Sequence, residues 1–276
     1  MRIRGSKETG SLRLVGALIV VGILAIGAMV WYKSSKPVNK TSDNVVARAL
    51  DGKDVTLDAK QIVQKLDSSR PIRREDVAAA IEQTTGKTLD NTYKQSIIPD
   101  HVKGKADSKV TVVEYEDFAC VHCQQVHSYV DKIHAEYSDR VRFIYRNFNL
   151  KFPNSDVVLV AGESAAHLAG EAAFWQMHDL LFSNDMWTGY TVEEKVRERT
   201  LTDYAKRIGL DVSKFNTARR DASSNGVKEK LERDAALAGK DGVNGTPTMI
   251  VNGKKIDGGL TYQAMKQAID NALDNK

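Results

Sequence analysis

The chain has 276 residues, a formal net charge of +4, 42% hydrophobic residues and 28% charged residues. That balance is ordinary for a globular protein, and the charge excess is too small to argue for a nucleic-acid partner. Only two cysteines occur, three positions apart, which excludes the widely spaced disulfide framework of a stapled secreted domain.

The first element is an uncharged apolar run from Leu14 to Tyr32. Nineteen helical residues reach about 28 Å, close to the hydrocarbon thickness of a bilayer. Arg2, Arg4, Lys7 and Arg13 precede it, and Trp31 and Tyr32 close it, where amphipathic rings favour the membrane interface. The run therefore reads as a single-pass anchor, with residues 1–13 cytoplasmic and the bulk of the chain outside. The competing reading is a cleaved signal peptide cut among the small residues Ala25 to Ala28. Residues 33–44 are polar, with Pro, Ser and Asn, and read as a tether.

Residues 45–95 form a helical extension of unknown role. Thr56-Leu-Asp opens one short helix running through Gln61 to Leu66, and Arg74-Glu-Asp opens a second that ends near Gly86. No motif there carries chemistry; the segment either packs on the main domain or docks a partner.

Lys109 to Tyr115 is a β-branched, largely apolar run, the pattern of a buried strand. Cys120-Val121-His122-Cys123 follows, then a helix over Gln124 to Tyr137 and a second strand over Arg140 to Asn147. Helical composition continues over Ser155 to Ala173, Phe174 to Phe182, Val192 to Ile208 and Val212 to Leu237. Thr248 to Val251 reads as a strand, Asn252-Gly253 as a two-residue hairpin turn, Lys254 to Ile256 as its partner strand, and Tyr262 to Leu273 as a closing helix. The order is βαβ, a helical insertion, then ββα.

The cysteine pair sits where a strand gives way to a helix. Unpaired amides at a helix N-terminus favour an anion, so a Cys120 thiolate is stabilised there. The thiolate is the attacking species in disulfide exchange, and Cys123, one turn on, is placed to resolve a mixed disulfide. A CxxC also suits a metal, though no second CxxC is present. A purely structural CxxC disulfide closes too small a loop to stabilise much. His122 either stabilises the thiolate or is an exposed loop histidine. His127, His134, His167 and His178 read as surface or packing residues. Glu114, inside the apolar strand, either serves Cys123 as a proton shuttle or points to water from an edge; Glu116 and Asp117 read as solvent-facing. Pro247 precedes a strand whose ladder it cannot join, and a cis bond at Thr246–Pro247 would leave the Thr246 backbone free to pair with an extended peptide.

VVEYEDFACVHC, AAFWQMHDLLFSN, YAKRIGLDVSKF and GVNGTPTMIVNGKKIDGG, in that order, resemble the DsbA-like branch of the thioredoxin superfamily over roughly residues 100 to 275. The resemblance implies an α/β thioredoxin-like fold over residues 96–276, with a helical insertion at about 152–238. It implies Cys120 as nucleophile, Cys123 as resolving cysteine, His122 as part of an oxidising loop and Glu114 as the buried acid. Thr246 and Pro247 correspond to the cis-proline loop that holds substrate. Val121 stands where proline is common, and loop residues tune the potential. The implied activity is extracytoplasmic insertion of disulfides into exported proteins; a reductase, an isomerase and a CxxC metal-binding protein are the alternatives. The implied partners are newly exported cysteine-containing proteins and a membrane redox protein of DsbB or VKOR type, with no organic cofactor and no metal.

Overall fold

A computed structural model describes residues 44–48, 52 and 54–275. The expected anchor at 14–32 lies outside the described residues. The described residues form one compact unit.

Five strands form the main sheet, in the order β3 (His101–Gly104), β5 (Val141–Asn147), β4 (Val110–Glu116), β6 (Thr248–Val251) and β7 (Lys254–Lys255). β4 and β5 are parallel; β4 with β6 and β3 with β5 are antiparallel. β4 lies centrally and every residue in it is buried, as expected of a strand covered on both faces. Alternate side chains go to opposite sides. Val110 and Val112 pack with Val130, Ile133, Met265 and Ile269 of helices α4 (Val121–Tyr137) and α9 (Tyr262–Asp274). Val113 and Tyr115 face Ala238 of helix α8 (Val227–Lys240). The β6–β7 turn uses Asn252 at φ 45° and Gly253 at φ 80°, the positive pair a two-residue hairpin needs. Asn252 also fixes its own position by accepting from the Thr111 amide at 2.8 Å.

This is a thioredoxin-like α/β fold with extra helices. The insertion comprises α5 (Ser155–Phe182), α6 (Glu194–Arg207), α7 (Val212–Arg220) and α8. Among the described residues, α5 is the one helix long and apolar enough to cross a membrane. It is nevertheless broken at Gly170, at φ 75°, and Val158, Leu159, Phe174, Met177 and Leu181 bury it in the core beside the cysteine pair. It is a core helix.

Several elements differ from expectation. The stretch from Val212 to Leu237 is two helices, because Gly226 takes φ 82° and any side chain there would strike the Ser96 carbonyl. Strands β1 (Asn44–Arg48) and β2 (Asp54–Asp58) pair as a hairpin. The first short helix, α1 (Ala59–Val63), therefore starts later than Thr56, with Asp58 capping the Lys60 amide. It is followed by α2 (Arg74–Thr85) and a short α3 (Asn91–Ser96).

The extension packs on the main domain. Leu57, Ile62, Val63, Leu66, Val77 and Ile81 form a cluster that includes Leu237 of α8. Lys240 donates to the carbonyls of Val63 and Leu66 at 3.1 and 2.5 Å, fastening the end of α1 to the end of α8. Arg146, wholly buried, donates to Asp100 at 2.8 Å, to the carbonyls of Ser68 and Arg70, and to the Tyr115 hydroxyl. A buried guanidinium is tolerable because its donors are matched in this way.

Candidate redox site

The turn between β4 and α4 is held by Asp117. Its carboxylate accepts from the amides of Ala119 and Leu150 and from the Ser155 hydroxyl, at 2.9, 3.1 and 2.6 Å, and its carbonyl accepts from the Cys120 amide. Asp117 thus ties the turn to the β5–α5 connection at Leu150 and to its far end at Ser155. It is fully buried, and so is Glu116 but for 3%. Both expectations of solvent exposure are overturned, because β4 is central and the α5 entry covers its end.

Cys120 is the N-cap of α4, with extended φ/ψ of −82° and 119°, and Cys123 lies one turn into the helix. Both are free thiols and both are buried. The Cys120 thiol is lowered to about 5, first by the hydrogen bond that Cys123 offers its sulfur. Burial opposes this, while Thr246 and the amides of Cys123 and His122 add to it. Cys123 is pushed well above the ordinary thiol range, first by burial, then by its bond to Cys120 and by the nearby Glu116 charge. The two thiols are therefore split: one is nearly all thiolate at neutral pH, the other holds its proton. That division suits an attacking sulfur and a resolving sulfur.

The Thr246–Pro247 bond is cis. Thr246 lies just beyond the β4–β6 ladder, which ends at the pair Tyr115 and Thr248. Its carbonyl is 3.5 Å from the Cys120 sulfur, so the loop faces the thiol directly. The structure thus brings Cys120, Cys123, Thr246 and Pro247 together. His122 is exposed, and its ring meets Gln125 at 3.3 Å, so its amide rather than its imidazole is what addresses Cys120.

Glu114 is buried, which removes the edge-strand reading, but its carboxylate bonds His134 at 2.8 and 3.0 Å. His134, on α4, thus has a definite partner on β4, contrary to the reading from sequence. His178 is also a site neighbour: it is caged by Phe118, Tyr145, Phe174, Trp175 and Phe182. Burial lowers it to about 3, so it is a neutral imidazole. Glu116, His134 and His178 escaped the sequence reading. The signal for Glu116 was its even spacing from Glu114, which puts both on one face of the strand. Among the described residues, no three His, Cys, Asp or Glu side chains are arranged to hold a metal ion.

A family profile described as thioredoxin matches residues 96–271. The chain belongs to the thioredoxin family. Within it, the chain is structurally close to several DsbA-like oxidoreductases. Oxidised BdbD from Bacillus subtilis is 27% identical with a TM-score of 0.52, covering 63% of this chain and 93% of its own. A thioredoxin-like oxidoreductase from Silicibacter pomeroyi DSS-3 is 25% identical with a TM-score of 0.52, covering 63% and 92%. The fold and the closely spaced cysteine pair match known thiol–disulfide oxidoreductases of the DsbA type. Among curated proteins, Na(+)/H(+) antiporter NhaA 3 of Salinispora tropica is 34% identical over 177 residues, or 63% of this chain and 25% of the antiporter. Antiporter NhaA of Herminiimonas arsenicoxydans is 32% identical, with 62% and 25% covered. The chain spans about a quarter of the length of these relatives, and the antiport in their names is said of them alone.

Proposed function

We propose that the protein oxidises dithiols of newly exported proteins to disulfides, on the outer side of a membrane to which the apolar run at 14–32 anchors it. The observation that carries the direction is the split of the two thiols. A stabilised Cys120 thiolate stabilises the reduced pair, and a stable reduced pair makes the disulfide a strong oxidant. A substrate thiolate attacks Cys120 of the disulfide form, and a second substrate thiol resolves the mixed disulfide. Cys120 is the nucleophile and Cys123 the resolving cysteine. The His122 amide steadies the thiolate, and Thr246 and Pro247 present backbone to the client. Reoxidation falls to a membrane partner of DsbB or VKOR type, which the anchor keeps at high effective concentration.

The packing of the extension favours the oxidase over an isomerase. Among the described residues, its apolar side packs on α8 within the same chain. The test is oxidative refolding of a reduced, cysteine-containing client by the disulfide form of the protein. One disulfide gained per enzyme disulfide lost, abolished by Cys120→Ser, supports the reading; a protein that only reduces client disulfides contradicts it.

A further inference from the structure

When a substrate thiolate attacks Cys120, the Cys120–Cys123 bond breaks and Cys123 leaves as a thiolate inside the protein. Cys123 has no exposed surface, so a thiolate there is costly and needs a proton at once. The acid expected from the sequence, Glu114, is bonded to His134 in the last turn of α4, away from the cysteine end.

Glu116 is differently placed. It shares a face of β4 with Glu114 but sits one pleat closer to the cysteine turn. It is 3% exposed. The charged and titratable groups facing it are Glu114 on its own strand, Asp131 and the two cysteines on α4 and its cap, Lys103 on β3, and Tyr145 on β5. Tyr145 is buried near both Glu116 and Cys123, and its hydroxyl has no hydrogen-bond partner among the described residues. Of the two glutamates, Glu116 is the one near enough for its ionised form to raise the Cys123 thiol.

We propose that Glu116, not Glu114, is the proton partner of Cys123. The proposal rests on the thiol–disulfide reading of the cysteine pair. In the oxidising direction the substrate sulfur bonds Cys120, the electron pair of the broken bond goes to Cys123, and the Glu116 carboxylic acid gives its proton to that thiolate. A second substrate thiolate then attacks the bound substrate sulfur and Cys120 leaves as thiolate. Glu116 regains a proton from water as that negative charge appears beside it. Burial, then the charges of Glu114, Asp131 and Cys120, hold the Glu116 carboxyl well above the ordinary range, so the acid form is the one present at neutral pH.

The test is stopped-flow reduction of the oxidised protein by excess glutathione over a range of pH. Tryptophan fluorescence reports it, since Trp175 and Trp187 share the apolar cluster of the cysteine pair. Normalised to glutathione thiolate, the wild-type rate falls as pH rises through the Glu116 titration. Glu116→Gln is expected to lose that fall and run at least tenfold slower at pH 7, while Glu114→Gln changes the profile less. A Glu116→Gln profile that overlays the wild type, or a larger change in Glu114→Gln, overturns the proposal. Because the Gln variant could fold poorly, carbon-13 NMR of the glutamate carboxyls in wild type gives a second readout. One buried carboxyl with an elevated midpoint that drops when the pair is oxidised supports the proposal; identical midpoints in the two redox forms overturn it. A wild-type protein inert to glutathione would instead sink the thiol–disulfide reading itself.

Discussion

At the scale of residues, two sulfurs three positions apart end in opposite states because the chain turns between them. Cys120 sits outside the helix, where Cys123 and two amides point at it; Cys123 sits inside, where burial dominates. Alkylation against pH is therefore expected to show one thiol titrating near 5, lost in Cys120→Ser, with no second reactive thiol until far higher pH. A single midpoint near the free-cysteine value of about 8.5 would contradict the split. His178 makes a separate claim on stability. Its value in the fold, about 3, lies below its ordinary 6.5, so its contribution is full above pH 6.5 and is lost as pH falls toward 3. The loss approaches about 1.4 kcal/mol per pH unit below 6.5. Buried His101 works the other way: burial lowers it, but the Glu163 and Glu171 carboxylates outweigh that and raise it. Comparison with His178→Phe isolates the first effect: the variant should lose less stability than wild type between pH 6.5 and 4, measured by urea unfolding. Parallel curves would show that His178 is already charged in the fold.

At the scale of elements, the strand β4 and the helix α4 were legible because their patterns are local. A β-branched run followed by Cys-x-x-Cys and apolar residues at helical spacing has one reading, and the Asn-Gly turn names its own geometry. The extension and β3 were not legible, because what orders them is distant. β3 reads as polar, yet its His101 is gripped by Glu163 and Glu171 of α5 and stacked on Phe174. The extension depends on Arg146 from β5 and Lys240 from α8, which no spacing rule connects to Ser68, Arg70 or Leu66. The same distance hid the burial of Glu116 and Asp117: they looked like a strand end facing water because the covering segment lies beyond residue 147. Replacing Arg146 by Met should strand Asp100 and two carbonyls in the core, at a cost of about 3–5 kcal/mol. Urea unfolding measures the cost, and hydrogen exchange at the Ile72 amide, which donates to Asp100 at 3.0 Å, reports whether the extension loosens. An unchanged midpoint would mean the network does not hold the extension.

At the scale of the whole molecule, the extension, sheet and insertion share buried side chains throughout residues 54–275. The domain should accordingly melt in one transition by far-UV and tryptophan signals alike, and two separated transitions would contradict a shared core. The same architecture brings two remote pieces of chain to one place: the β4–α4 junction with its acids and cysteines, and the Thr246–Pro247 loop some 120 residues later. Their joint effect is a reduced pair made stable by a buffered thiolate. The measurement that tests this most directly is the reduction potential of the Cys120–Cys123 couple, by equilibration of the protein with glutathione. The account predicts a value toward about −120 mV, the strongly oxidising end of the known range. A value near about −270 mV, that of thioredoxin, would contradict it and make the protein a reductant of disulfides.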